Sequence, residues 1–170
     1  MRLFFAVNFD RATKANILSV QERLRRYGRG TFPGPENLHL TLAFLGEIEE
    51  SRLPELQSIL DNLQVPEMHL TFSHIGCFRN DSELWWIGLD DCPELARLQD
   101  DLSSSLRRQG FSLEKRKFRP HITIARRMNI GKMDSKKLLP RDFSTTVSHV
   151  SLMLSHRPNG VLTYTELMRK

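Results

Sequence analysis

The chain has 170 residues and a mass of 19.8 kDa, with 39% apolar residues, 26% charged residues, 9 glycines and 8 prolines. That composition excludes a disordered or fibrous chain, and two cysteines, Cys77 and Cys92, exclude a disulfide-dense scaffold. The formal charge of +5 is uneven: Arg107 to Arg141 carries twelve Lys or Arg against Glu114 and Asp134, leaving thirteen bases and eighteen acids elsewhere. A basic stretch of this kind attracts a polyanion such as RNA, or serves only as a solvated surface.

Leu3 to Phe9 is an apolar run suited to a buried strand and too short to span a membrane. Asp10, Arg11 and Lys14 follow it with no small-residue cleavage pattern, so the expectation is a cytoplasmic protein without a signal peptide or membrane attachment. Thr13 to Tyr27 predicts a helix, with Ile17, Leu18, Gln21 and Leu24 at helical spacing. A loop rich in Gly and Pro leads to a strand over Leu38 to Leu45, and Ser51 to Leu63 predicts a second helix. Met68 to Phe78 and Leu84 to Leu89 predict strands around an Arg79-Asn80-Asp81 turn. Pro93 opens a helix to about Arg108, striped by Leu95, Leu98, Leu102 and Leu106. Phe118 to Ala125 predicts a strand. The basic segment from Arg127 to Arg141 predicts a loop with at most a short helix, and two final strands run over Phe143 to Leu154 and Leu162 to Leu167. The order implies an α+β fold of helices packed on mostly antiparallel sheet, as one domain over residues 1–170.

A faint repeat divides this order. Leu3 to Asp10 and Glu83 to Asp90 are each an apolar strand ending in Asp, followed by an amphipathic helix and a strand that begins with histidine. Those strands are His39-Leu40-Thr41-Leu42 and His121-Ile122-Thr123-Ile124. Strand side chains alternate faces, so His39 with Thr41, and His121 with Thr123, each form a polar pair opposite two apolar residues. The apolar residues are expected to face each lobe's own helices. Two lobes related by a pseudo-two-fold axis would bring both polar pairs to one cleft.

Paired histidines suit phosphodiester cleavage. In-line attack needs a base on one side of phosphorus and an acid on the other, and histidine serves as either near neutral pH. Threonine hydroxyls, with Arg126, can donate to the phosphate oxygens as charge builds, so no metal or cofactor is required. His69-Leu70-Thr71 is a third copy of the pattern, but it follows the second helix and falls outside the repeated position. His69 is expected to be structural or partly exposed.

The chain resembles the RNA 2',3'-cyclic phosphodiesterases, also called 2'-5' RNA ligases, of the 2H phosphoesterase superfamily. The resemblance rests on Leu3-Phe4-Phe5-Ala6-Val7, on Glu36 to Gly46 around the first motif, and on Arg119-Pro120-His121-Ile122-Thr123-Ile124-Ala125-Arg126. It implies a bilobal fold, two pseudo-symmetric lobes around a central cleft. His39 and His121 would act as catalytic acid and base, and Thr41, Thr123 and Arg126 would hold phosphate. Strict alternation would turn Arg126 away from Thr123 unless a bulge or the end of the strand intervenes. Phe32, before the first motif, and Tyr164 are candidate substrate contacts. The implied substrate is RNA, or a nucleotide, ending in a 2',3'-cyclic phosphate, with no obligate protein partner. The remaining alternatives are a sister enzyme acting on ADP-ribose cyclic phosphate or 2'-5' oligonucleotides, and a non-catalytic RNA-binding module.

Overall fold

The computed structural model describes residues 1–170. Its elements run β1 (Arg2–Asn8), α1 (Arg11–Arg25), β2 (His39–Glu47), α2 (Leu53–Asn62), β3 (Met68–Arg79), β4 (Glu83–Leu89), α3 (Pro93–Arg108), β5 (His121–Met128), α4 (Ser135–Leu138), β6 (Phe143–Val147), β7 (Ser151–His156) and β8 (Thr163–Arg169). They form two four-stranded sheets, β2-β1-β7-β8 and β5-β4-β3-β6, and every strand pair is antiparallel. β1 and β4 hold equivalent inner places, and the two histidine-led strands β2 and β5 are equivalent edges that meet each other. The repeat seen in the sequence is therefore a repeat of sheets. No helix is long and apolar enough to cross a membrane.

β1 is buried from Leu3 to Val7 because it has cover on both faces. Leu3, Phe5 and Val7 enter a core that is continuous through both sheets, while Phe4 and Ala6 pack with Met153 on the opposite face, under Tyr164. Asp10 caps α1 by accepting from the Thr13 amide at 2.8 Å. The equivalent Asp90 caps nothing; α3 starts instead at Pro93, whose missing N–H suits a first turn.

Two expectations fail. Phe143 to Leu154 is not one strand: β6 pairs with β3 and β7 with β1, in different sheets. A strand-like run without Gly or Pro hides a crossing between sheets, because Ser148 and His149 carry no strong turn signal. The strand expected from Phe118 begins only at His121, since Pro120 has no N–H for a ladder. A third expectation is corrected in kind. The helices do not cover their own lobes: α1 packs against β5 and β6 of the second sheet, and α3 against β2 of the first. Each β-α-β repeat thus lends its helix to the other sheet.

This exchange makes the core common to both halves. Phe5→Ala, at a position with no exposure, is expected to cost about 3–5 kcal/mol in urea unfolding. Both sheets should unfold in one transition, read by the near-ultraviolet signals of Trp85 and Trp86 in one sheet and Tyr164 in the other.

Candidate active site

The site lies where β2 meets β5. In both strands the pairing with the inner neighbour slips by one residue just after the threonine. Opposite Phe5 and Ala6 the partners are Ala43 and Thr41, leaving Leu42 as the extra residue. Opposite Trp85 and Trp86 they are Ala125 and Thr123, leaving Ile124. These are equivalent β-bulges. Each produces two consecutive buried residues, Leu42-Ala43 and Ile124-Ala125, and reverses the alternation beyond them. Phe44 and Arg126 consequently return to the face of the histidines and threonines. Of the two ways Arg126 could reach this face, a bulge or the strand end, the bulge is the one present.

A bulge frees a carbonyl from the ladder, and a buried carbonyl needs a donor. Gln99 of α3 donates Nε2 to the Leu42 carbonyl at 3.2 Å, and Gln21 of α1 donates Nε2 to the Ile124 carbonyl at 3.0 Å. Gln21 also reaches the Pro33 carbonyl at 3.0 Å, and Gln99 the Ser103 hydroxyl at 2.9 Å. Because the helices are exchanged, each bulge is held from the other repeat. The sequence displayed Gln21 on the apolar stripe of α1 without revealing this role.

The imidazoles are set in matching ways. His39 Nδ1 lies 2.8 Å from the Asn37 carbonyl and His121 Nδ1 lies 2.6 Å from the Arg119 carbonyl, each two residues upstream. A carbonyl only accepts, so Nδ1 carries the proton and Nε2 faces the cleft. His39 Nε2 meets the Thr41 hydroxyl at 3.1 Å. Aromatic rings flank both: Phe4 and Tyr164 pack on His39, with ring centroids at 4.9 and 5.0 Å, and Phe78 and Trp86 on His121, at 5.5 and 5.9 Å. Asn37 also ties β8 to the site, donating to the Leu162 carbonyl and accepting from the Tyr164 amide. Gly76 makes room for this floor, since a Cβ there would stand 2.1 Å from the Trp86 ring.

Burial pushes the His39 pKa down to about 4, reinforced by the charges of Arg126, His121 and Lys14. His121 is lowered by burial and by Arg126. Both histidines are therefore neutral at pH 7, and Arg126 stands within electrostatic reach of each.

Two of the clefts that open here share residues of the polar face. One, of about 690 Å³, is bordered by His39, Thr41, Phe44, Arg126 and Tyr164. The other, of about 750 Å³, is bordered by Thr41, Phe44, Phe78, Arg119 and His121. Thr41 and Phe44 belong to both. Thr123 shares the His121 face, half-buried and paired in register with Trp86. Phe32 borders neither cleft; it packs on the core with the Arg25 guanidinium 4.0 Å above its ring. His69 is exposed on β3, 3.3 Å from the Thr146 hydroxyl. No cluster of three His, Cys, Asp or Glu side chains is arranged to hold a metal ion.

Known proteins match this arrangement. The profile of the 2'-5' RNA ligase superfamily matches residues 13–159. An RNA 2',3'-cyclic phosphodiesterase of Thermotoga maritima is 34% identical over 131 residues, covering 74% of this chain and 70% of the relative. One from Escherichia coli is 30% identical over 171 residues, covering 99% of this chain and 94% of its own length. The crystal structure of E. coli LigT complexed with 3'-AMP superposes with a TM-score of 0.86 at 27% identity, covering 99% of this chain and 96% of that one. The two-sheet fold with its paired His-x-Thr strands is that of a 2H phosphoesterase, and within that class the chain belongs to the 2'-5' RNA ligase superfamily.

Two measurements check the geometry. Gln21→Leu leaves the buried Ile124 carbonyl and the partly buried Pro33 carbonyl without this donor and is expected to cost about 1–3 kcal/mol of stability in urea unfolding, with Gln99→Leu costing less because Gln99 is only partly buried. The His39 shift also has a sign. An imidazole with an ordinary pKa of 6.5 in the unfolded chain and about 4 in the fold makes the unfolded state the stronger proton binder between those values. Its contribution is complete above pH 6.5 and is lost as the pH falls toward 4. The drop in unfolding free energy across that window should be smaller in His39→Gln than in the parent.

Proposed function

We propose that the protein hydrolyses RNA 2',3'-cyclic phosphate ends to 2'-phosphomonoesters, using His39 and His121 as the acid–base pair. The observation that carries this reading is the matched setting of the two imidazoles, each anchored at Nδ1 by a carbonyl two residues upstream, with His39 Nε2 beside the Thr41 hydroxyl and Arg126 within electrostatic reach of both. The names of the relatives, RNA 2',3'-cyclic phosphodiesterases, supply the substrate class.

His121 Nε2 takes the proton of a water as its oxygen attacks phosphorus. His39, protonated at Nε2, gives its proton to the departing 3' oxygen as the P–O3' bond breaks. The product carries a 2'-phosphate and a free 3'-hydroxyl. Thr41, Thr123 and Arg126 donate to the non-bridging oxygens as negative charge concentrates there. The low pKa of His39, about 4, suits it to the acid role, because a weakly held proton is transferred readily. Its proton arrives with the substrate: burial is the main cause of the low pKa and Arg126 adds to it, and the charge of the phosphate anion offsets Arg126 and favours the imidazolium. An RNA 5'-hydroxyl in place of water would give a 2'-5' linkage by the same path, and the reverse reaction exchanges the two roles.

The test is an oligoribonucleotide with a 2',3'-cyclic phosphate end in excess EDTA, its product resolved against 2'- and 3'-phosphate standards. The parent and His69→Ala should both form the 2'-phosphate. His39→Ala and His121→Ala should each lower kcat by at least about 10²–10⁴-fold while remaining folded. Formation of a 3'-phosphate, or full activity in either histidine variant, refutes the mechanism. Turnover only of ADP-ribose cyclic phosphate or 2'-5' oligonucleotides would indicate a sister activity, and binding without turnover an RNA-binding module. The profile of kcat/KM should be bell-shaped, because one histidine must be neutral and the other protonated. Both free-protein values lie below the ordinary 6.5, so its maximum is expected on the acid side of that value.

A further inference from the structure

The repeat is symmetric at the histidines and asymmetric beside them. Along the outer edge of β5 the chain before the first motif closes the gap: Thr31 pairs with Arg126 through two backbone hydrogen bonds of 2.8 Å, and Phe32 seals onto the core. At the equivalent edge of β2 no such pairing exists. The segment from Leu113 to Arg119 stands off instead, and the cleft of about 750 Å³ lies between it, β2 and α3.

The walls of this cleft have a definite chemistry. Arg107, Arg116, Lys117 and Arg119 line it, against Asp100 and Glu114. Arg116 is 88% exposed and its only ion pair, with Glu114, is a loose 3.8 Å contact, so its charge is available to a ligand. Phe44 lines it with Phe78 and Phe118 and is the exposed one of the three, at 38%, turned outward by the Leu42 bulge with the Arg2 guanidinium 5.0 Å from its ring centre. The second half of the basic stretch is elsewhere: α4, with Lys136 and Lys137, packs against α1 and β3. Cationic side chains tracking a groove, with an aromatic face at one end, are what single-stranded nucleic acid requires. The groove reaches His121 and Thr41, so whatever lies in it is continuous with the reacting end.

We propose that this cleft binds the single-stranded RNA preceding the cyclic phosphate, with its phosphodiesters along Arg116 and Lys117 and a base on Phe44. The proposal rests on the phosphodiesterase reading for the end that is processed, and adds that the enzyme is selective for polynucleotide over mononucleotide substrates.

The experiment compares the parent with Arg116→Glu/Lys117→Glu, and with Lys136→Glu/Lys137→Glu as a variant of equal charge change away from the cleft. Binding is read by fluorescence anisotropy of a 5'-labelled tetraribonucleotide ending in a 2'-phosphate. Turnover is read for the cyclic-ended tetranucleotide and for a mononucleoside 2',3'-cyclic phosphate. The cleft variant should weaken tetranucleotide binding and raise its KM by about tenfold or more, and reduce the salt slope of binding by about 1.4 for two lost phosphate contacts. Its mononucleotide kcat/KM, and all values for the α4 variant, should stay near the parent's. Equal loss on both substrates, an unchanged tetranucleotide, or an α4 variant that matches the cleft variant overturns the proposal. So does failure of the parent to bind the tetranucleotide. If the parent binds the tetranucleotide but hydrolyses neither substrate, the phosphodiesterase reading fails, and the anisotropy comparison decides the cleft by itself.

Discussion

The carbonyls released by the two bulges, those of Leu42 and Ile124, are the constraint on which the site depends. Each is buried and each must find a donor, and each finds a glutamine on a helix contributed by the other repeat. The bulges bring Phe44 and Arg126 to the polar face, the glutamines hold the bulges, and the exchanged helices carry the glutamines. Neither repeat could present its own His-x-Thr strand in this form without its counterpart. The continuity of the apolar core through both sheets follows from the same exchange.

A second constraint is electrostatic. Two imidazoles are half-hidden among aromatic rings, next to a guanidinium and to each other, and all of these features oppose protonation. A bound anion works against that opposition, because its negative charge favours the imidazolium. In the proposed mechanism the phosphate is therefore both the reacting group and the source of the pKa shift that arms the acid. This couples proton uptake to binding, and it concentrates activity where a negative group sits between β2 and β5.

Much of this was legible in the residues. The element order, the repeated Asp-helix-His spacing and the pairing of His39 with Thr41 and of His121 with Thr123 follow from periodicity, because a strand has a fixed two-residue alternation. What periodicity hides is its own interruption. Leu42-Ala43 and Ile124-Ala125 are the trace of the bulges in the sequence, but two adjacent apolar residues also occur in any strand with cover on both faces, as in β1. Gln21 was visible on an apolar stripe, yet its partner is a backbone carbonyl 103 residues away, which no local pattern encodes. The helix exchange was illegible for the same reason: an apolar stripe records that a helix packs, and not on which sheet. The basic stretch reads as one block in sequence, whereas in space it divides between the cleft and the far side of α1.

The most direct measurement is of the two imidazoles themselves. Long-range ¹H–¹⁵N correlation spectra of the ¹⁵N-labelled protein report the tautomer and charge of each histidine, before and during titration with a nucleoside 2'-phosphate at pH 7. With one phosphate shared by His39 and His121, both rings begin as neutral Nδ1–H tautomers, both Nε2 resonances move with the same saturation curve, and His69 is unmoved. A phosphate that shifts only one of the pair, or that shifts His69 instead, would contradict the shared site.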